Sequence, residues 1–364
     1  MIRKLPLYAA LAAAVLSFTS SEAWAQGCIN SRTTAPLMDS DGPYLEKGRL
    51  IFSNSFRYLR ADKHYVGTNE LSELNDTNSN AINEQRNLEI GFTYGLTDRT
   101  SVSLSIPYLM SGDWSLPLPM GPPMMPGVDK GPRYHQNSEG VGDVSLTARR
   151  WMLDPVANTQ KNVSLGFGVK APTGDHNVTD YFGRMDGTHF RQYWVDSSIQ
   201  PGDGGWGAIL DVGSFYELEW CTLFGTAAYT INPQESNDAS STPANLMGAE
   251  NVPESIRFNS IPDRYLLKLG AAREIASIPG LVPQLAWRIE GVAERDLIGG
   301  NDGYRQSGYT TSIEPGVSYT YGNSVWSISL PIALVRNRQD GPQNIAGDAT
   351  FADWMLLFGW SFYL

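Results

Sequence analysis

The feature that most constrains this chain is a strict alternation of apolar and polar residues, which returns in one short segment after another. In 100–109, for example, apolar side chains at the even positions from Val102 to Tyr108 alternate with serines and a proline. Because successive side chains of a β-strand point to opposite faces, this period predicts strands with one face in an apolar medium and the other in a polar one. The pattern occurs in twelve segments, which are 48–60, 86–96, 100–109, 142–152, 162–171, 205–216, 220–230, 262–273, 284–292, 309–321, 325–334 and 351–364.

The stretches between these segments alternate in length. Short or medium turns at 97–99, 153–161, 217–219, 274–283 and 322–324 are separated by longer loops at 61–85, 110–141, 172–204, 231–261, 293–308 and 335–350. Bacterial outer-membrane barrels have short periplasmic turns, long extracellular loops and an even number of strands. The sequence therefore predicts an all-β fold, a transmembrane up-and-down antiparallel β-barrel of about 12 strands with both termini in the periplasm.

The charged residues inside the segments fall on one face. They are in phase with the small polar residues, whereas the out-of-phase Arg60, Arg150 and Arg273 lie near segment ends. A charge on the lipid face at mid-membrane costs about 2–4 kcal/mol, so the sorted charges should point into the lumen. The candidates for lining the lumen, five basic and five acidic, are Arg57, Glu89, Asp143, Arg149, Lys170, Asp211, Lys268, Arg288, Glu290 and Glu314.

The N-terminus has the pattern of a secretory signal peptide. Arg3 and Lys4 precede a mostly apolar stretch, and Ala23-Trp24-Ala25 supplies a small-x-small cleavage site. We expect cleavage near Ala25, which divides the chain into a signal peptide (1–25), a periplasmic N-terminal segment (26–47) and the barrel (48–364). No apolar run long enough for a transmembrane helix follows. The predicted location is the outer membrane of a Gram-negative bacterium.

Composition and the C-terminus agree with this interpretation. The net charge of −11 argues against a nucleic-acid partner, which would require a basic patch. The last segment ends in Gly359-Trp360-Ser361-Phe362-Tyr363-Leu364, which resembles the terminal-strand signal read by the outer-membrane barrel insertion machinery. Two positions depart from that signal, because Leu357 stands where a polar residue is usual and the chain ends in Leu rather than Phe.

Several short phrases also carry a family resemblance. They are Tyr94-Gly95-Leu96-Thr97-Asp98-Arg99, Pro107-Tyr108, Gly140-Val141-Gly142-Asp143, Lys170-Ala171-Pro172-Thr173-Gly174, Ser329-Leu330-Pro331 and Phe351-Ala352-Asp353. The chain in these phrases resembles a bacterial outer-membrane β-barrel transporter family named after the meta-pathway of phenol degradation, which is distantly like long-chain fatty-acid channels. The resemblance implies an outer-membrane channel for aromatic or other hydrophobic compounds, and it implies no catalytic residue.

The predicted loop at 110–131 is unusually apolar for an external loop. Apolar side chains there are costly unless they are covered, and methionine suits loosely specified apolar ligands. One interpretation is an inward-folded constriction or an apolar site through which a hydrophobic solute enters. The other is a loop packed on its neighbours or on lipopolysaccharide. The candidates are Trp114, Leu116, Leu118, Met120, Met124 and Met125.

The remaining reactive residues give little support for an enzyme or a metal site. The four histidines, His64, His135, His176 and His189, fall in predicted external loops without a repeated ligand spacing. A membrane phospholipase would need a strand histidine beside a serine, and a barrel protease would need an acid–histidine arrangement at the outer rim, for which His64 or His135 could qualify. No catalytic residue, cofactor or metal is predicted. Cys28 and Cys221 both fall on the predicted periplasmic side, and a disulfide between them is a hypothesis.

The predicted function is a channel or transporter for passive uptake of a small, aromatic or hydrophobic, organic solute. The alternative is a non-conducting structural or surface-binding barrel. A channel requires charges spaced along a water path, whereas a structural barrel requires them paired within a filled lumen. The expected partners are outer-membrane lipid, lipopolysaccharide, the insertion machinery and a small-molecule solute, with no nucleic acid.

Overall fold

The computed structural model describes residues 44–121, 124, 125, 127–341 and 347–364. The predicted signal peptide and residues 26–43 lie outside the described residues, so the predicted domain boundaries remain predictions. In chain order the strands are β1 (Leu50–Val66), β2 (Asn69–Glu70), β3 (Ile82–Thr97), β4 (Thr100–Pro117), β5 (Arg133–Val141), β6 (Ser145–Trp151), β7 (Lys161–Lys170), β8 (Thr179–Phe182), β9 (Arg191–Trp194), β10 (Gly207–Glu217), β11 (Thr222–Ile231), β12 (Ser236–Ser240), β13 (Phe258–Ser260), β14 (Arg264–Ala272), β15 (Leu281–Val292), β16 (Gly308–Tyr321), β17 (Ser324–Ser329), β18 (Ile332–Arg338) and β19 (Ala349–Tyr363).

Helical segments are short and belong to the loops. They are α1 (Ser72–Asp76), α2 (Thr242–Met247) and the 3-10 turns Ser197–Ile199, Ala249–Asn251 and Glu254–Ile256. Among the described residues, no helix is long and apolar enough to cross a membrane.

The main sheet closes on itself, because the first long strand, β1, pairs with the last, β19, from Ile51–Tyr363 to Tyr65–Ala349. The strands of this sheet follow one another in chain order, and each strand is antiparallel to its neighbours. Strands β5 and β6 both pair with β4, and β17 and β18 both pair with β16, so each couple forms one broken strand of the wall. Counted this way, the barrel has twelve strands, which confirms the predicted fold class.

The two faces of the wall differ as the alternation predicted. In β7, Val163, Leu165 and Phe167 are exposed on the outside, whereas Ser164, between them, has no exposed surface. Phe92 and Tyr94 of β3 are exposed in the same way. A closed antiparallel sheet with an apolar outer face and a polar inner face is the arrangement of an outer-membrane barrel.

Connections also follow the prediction, with tight turns at one end of the barrel and long loops at the other. Strands β3 and β4 are separated by Asp98 and Arg99, whereas 171–206 connects β7 to β10. Both ends of the barrel chain lie at the turn side, where the Leu364 amide donates to the Leu50 carbonyl at 2.8 Å.

Several strands run further into the loop side than the sequence predicted. Strand β1 continues to Val66 and β4 continues to Pro117, and β5 lies within the predicted loop 110–141. The prediction of these loop boundaries was wrong because outward side chains change from apolar to charged near Arg60 and Arg86. The apolar period ends there, while the backbone pairing continues.

One seam of the wall has little backbone pairing. Along the described residues, β18 pairs with β19 at a single position, Ile332 opposite Trp354. Pro331, just before β18, has no amide hydrogen for the ladder. The side chain of Arg336 bridges the seam, since its Nε donates to the Ala352 carbonyl at 3.2 Å and its guanidinium forms an ion pair with Asp353.

Candidate functional site

The inner face of β14–β16 carries a compact network of ion pairs. Arg288 contacts Glu290 at 2.8 Å and Glu314 at 3.3 Å. Lys268 contacts the other oxygen of Glu314 at 2.6 Å. The register places Lys268 opposite Arg288 on the neighbouring strand, and Glu314, which contacts both, offsets the repulsion between the two cations.

A second group of charges joins β6, β7 and β10. Arg149 contacts Asp211 at 2.6 Å. Lys170 forms an ion pair with Asp203 and lies 3.9 Å from Asp143. Asp143, at the break between β5 and β6, also accepts the backbone amides of two loop residues, Gly174 and Asp203.

Arg57 and Glu89 lie on neighbouring strands of the same inner face. Arg57 is buried, with its Nη2 3.5 Å from Gln85 Oε1, and Glu89 is half-buried. All ten sequence-predicted charges are thus buried or half-buried, and eight of them form the ion pairs above. That they line a solute path remains a prediction.

The loop-side mouth is covered by part of the long 171–206 loop. The 3-10 turn Ser197–Ile199 lies against the inner face of β3, β4 and β5, and Ile199 is completely buried. Gln85 donates to the Ser198 carbonyl at 2.6 Å, and Ser138 donates to the Ile199 carbonyl. Gly112 of β4 leaves room for this turn, because an added Cβ would lie 2.8 Å from the Ile199 Cβ.

Sequence reasoning missed this turn and its partners on the wall. The inward positions Asn83 and Gln85 continue the period of two in β3 towards the loops, and this was the available signal. Nothing in the sequence of Ser197–Ile199 distinguishes it from an ordinary polar loop.

The predicted apolar loop residues contribute to a hydrophobic cluster above the barrel. Trp114 and Leu116 belong to β4 rather than to a loop, which corrects the prediction. Four of the candidates are buried, and Met125 packs on the cluster while Met124 remains exposed. The cluster consists of Ala81, Trp114, Leu116, Leu118, Met120, Phe182, Tyr193, Val195 and Ile199.

The turn-side mouth is crossed by the segment that precedes β1. The backbone amide of Lys47 donates to Asp98 at 3.0 Å, and that of Gly48 donates to the Gly95 carbonyl at 2.8 Å. An added Cβ on Gly95 would lie 2.1 Å from the Glu46 carbonyl oxygen, so the glycine allows the segment to approach the wall.

Tyr44 fixes the other end of this segment on β6, β7 and β10. Its ring packs edge-on against Trp151 and Phe215, with centroids 5.3 and 5.8 Å away. Its hydroxyl donates to the Asn158 carbonyl at 3.1 Å and accepts from Asn162 at 2.9 Å. The segment 44–49 therefore extends from one side of the turn-side mouth to the other.

The histidines are engaged in separate contacts. His64 lies in β1 and His135 in β5, not in loops as predicted. His64 is buried, with Nδ1 against Asp348 and Nε2 accepting the Ala81 amide at 2.8 Å. Burial alone would raise the pKa of the Asp348 carboxyl, but the hydrogen bond from His64 and the charge of Arg338 hold it below its ordinary value.

The other histidines form ordinary polar contacts near the loops. Their nearest partners are Asp113 for His135 at 2.8 Å, Asp238 for His176 at 2.8 Å and Thr188 for His189 at 2.6 Å. Within the part of the chain that the structure describes, no group of three His, Cys, Asp or Glu side chains is placed to hold a metal ion. Cys221 is buried beside β11, while Cys28 lies outside the described residues, so their disulfide remains a prediction.

Comparison with known proteins gives a fold but no family. No protein-family model and no curated protein matches the chain. The crystal structure of an outer membrane channel from Pseudomonas putida F1 is similar, with 15% identity, a TM-score of 0.55, and coverage of 88% of this chain and 97% of that chain. This likeness shows the fold alone, that of an outer-membrane β-barrel, and the resemblance to the phenol meta-pathway family remains a prediction.

Two further structures align over most of the chain with lower scores. A mutant of TodX, a monoaromatic hydrocarbon channel, has 11% identity and a TM-score of 0.45, covering 93% of this chain and 97% of that chain. The β domain of the Bordetella autotransporter BrkA has 14% identity and a TM-score of 0.45, covering 87% of this chain and all of that one.

Proposed function

We propose that this protein is an outer-membrane channel for passive uptake of a small organic solute through the barrel. The observation that carries the proposal is how the two mouths are covered. Ser197–Ile199 and residues 44–47 lie across them through side-chain contacts and isolated backbone hydrogen bonds, outside the ladder of the wall. Such covers can move without breaking the barrel, as loops with few backbone bonds do.

The similar fold of an outer membrane channel supports this assignment. The hydrophobic cluster above the barrel supports a solute with apolar surface, because its member Met120 and the adjoining Met125 adapt to loosely specified apolar shapes. The family resemblance in the sequence points to the same aromatic or hydrophobic class. The channel is not an enzyme in this proposal, and its location after cleavage near Ala25 is the outer membrane.

The alternative, a non-conducting barrel, is favoured by one observation. Eight of the ten inner charges form ion pairs with one another or with Asp203, and paired charges are what a structural barrel requires. The two functions therefore differ in whether the lumen passes solute when its covers move.

Single-channel conductance of the refolded mature protein separates the two functions. Heat-dependent gel mobility first establishes that the barrel is folded. We expect discrete conductance steps that small aromatic or aliphatic solutes reduce, with a higher open fraction in a Tyr44→Ala/Ile199→Ala variant. A folded barrel that stays silent in the wild type and in this variant would overturn the channel and leave the structural alternative.

A further inference from the structure

One wall of the lumen is lined by hydroxyl groups. Thr93 of β3 and Ser103 of β4 are opposite each other, with their hydroxyl oxygens 2.9 Å apart. They lie on the inner face, since their neighbours Phe92 and Tyr94 are exposed outside. Six inward hydroxyl side chains, all half-buried, lie on the turn-side half of β1, β3 and β4. We call them the hydroxyl wall, which consists of Ser53, Ser55, Thr93, Ser101, Ser103 and Ser105.

Two inward serines elsewhere in the barrel, Ser164 and Ser312, have a different environment. Ser164 of β7 is 0% exposed and Ser312 of β16 is 2% exposed. Ser312 lies opposite Arg288, within the ion-pair network, and Ser164 donates to the Gly213 carbonyl at 3.3 Å. The hydroxyl wall is therefore more exposed than these two serines, which their neighbours cover almost completely.

A glycine keeps part of this wall open. Gly91 lies opposite Ser53, and an added Cβ would be 2.3 Å from the Ser53 hydroxyl oxygen. Any side chain there would cover the hydroxyl. A serine or threonine hydroxyl both donates and accepts hydrogen bonds without carrying charge, so such a wall can replace hydrogen bonds that a neutral solute loses on leaving water.

We propose that the hydroxyl wall is the surface along which solute passes, and that the solute is a small uncharged molecule with hydroxyl or carbonyl groups. This inference rests on the proposed function and specifies its substrate class. A carboxylate is not favoured, because four of the five predicted lumen cations, Arg149, Lys170, Lys268 and Arg288, are each already engaged by an acid. The fifth, Arg57, is buried. Apolar parts of the solute are tolerated, since the wall fixes only the hydrogen bonds.

Cysteine labelling tests whether water and small molecules reach the wall. In the full mature chain with Cys28 and Cys221 replaced by serine, Ser53→Cys and Ser103→Cys are compared with the matched controls Ser164→Cys and Ser312→Cys. A small maleimide should modify the first two in the folded barrel many times faster than the controls. Equal rates at all four positions, or protection of all four, would overturn the inference.

Liposome swelling tests the solute class. Arabinose is the uncharged probe and gluconate is the acid of similar size. We expect arabinose to enter faster than gluconate, and a Thr93→Val/Ser103→Ala variant to slow arabinose several-fold while a Ser312→Ala control does not. Equal arabinose swelling rates for the wild type and the Thr93→Val/Ser103→Ala variant, or faster gluconate entry, would refute the inference without contradicting the proposed channel function. Absence of both swelling and conductance refutes the proposed function as well.

Discussion

The guanidinium of Arg288 lies 2.8 Å from the carboxylate of Glu290, two residues further along the same strand of the barrel. Side chains two apart on a strand share a face, so both point into the lumen, and both are almost completely buried. Glu314, on the neighbouring strand, contacts the same guanidinium. In this part of the lumen, the carboxylates of Glu290 and Glu314 thus share the guanidinium of Arg288 as their partner.

Replacing Arg288 with methionine should destabilise the barrel strongly. Removing one partner of a buried ion pair leaves an uncompensated charge and costs about 3–5 kcal/mol. The measurement is the free energy of unfolding in urea, followed by gel mobility. Arg86→Met is the control, because Arg86 has a similar 2.7 Å contact with Glu84 on the exposed face, where the loss should be under about 1 kcal/mol. Similar losses in both variants would contradict this account.

Asp203 should make stability dependent on acid pH. Burial alone would raise the pKa of this carboxyl, but the charges of Lys170 and Arg264 hold it below its ordinary value. A lowered folded-state pKa contributes stability above the unfolded value of about 3.9 and loses it as pH falls through the folded value. The difference in unfolding free energy between wild type and Asp203→Asn should therefore be constant from pH 7 to about 5 and decrease below about pH 4. A difference that increases in acid would show that the carboxyl is neutral in the folded protein.

The barrel itself was predictable from sequence because lipid and water impose opposite requirements on alternate residues. In β7 the alternation is complete. The odd-numbered residues from Val163 to Val169 face outside, and the even-numbered residues from Ser164 to Lys170 face the lumen. Where the strand leaves the lipid, as β4 does before Trp114, the outer face no longer needs apolar residues. The alternation ends there although the strand does not, so the loop-side boundaries were wrong.

The covers of the two mouths were not predictable for a different reason. Ile199 is buried and Tyr44 is half-buried by residues distant in sequence, such as Gly112 and Phe215. Their positions depend on how loops fold over the completed barrel, and the local alternation of apolar and polar residues carries no information about that folding. The charged residues of the inner face could be identified from the phase of the apolar–polar alternation alone. Their partners depend on the register between strands, which places Lys268 beside Arg288.

Truncating Tyr44 should release the segment that crosses the turn-side mouth. Tyr44→Ala removes two aromatic contacts, each contributing about 0.5–1.5 kcal/mol, and two hydrogen bonds of the hydroxyl. The rate of trypsin cleavage after Lys47 in the folded barrel should rise at least about tenfold. Tyr44→Phe keeps both ring contacts and should give a smaller increase. Equal cleavage of all three proteins would show that Tyr44 does not hold the segment.

Adding a side chain at Gly112 should displace the cover of the loop-side mouth. A valine Cβ there would lie 2.8 Å from the Ile199 Cβ and 2.9 Å from the Ser138 hydroxyl, so the turn Ser197–Ile199 must move away from the wall. Gly112→Val should therefore raise single-channel conductance and protease cleavage within the 171–206 loop. Ser111→Val is the matched control, because Ser111 is opposite Arg86 on the outer face of the wall and the same bulk there meets no loop. If Gly112→Val lowers conductance while the loop stays protected, the turn is part of the wall rather than a movable cover.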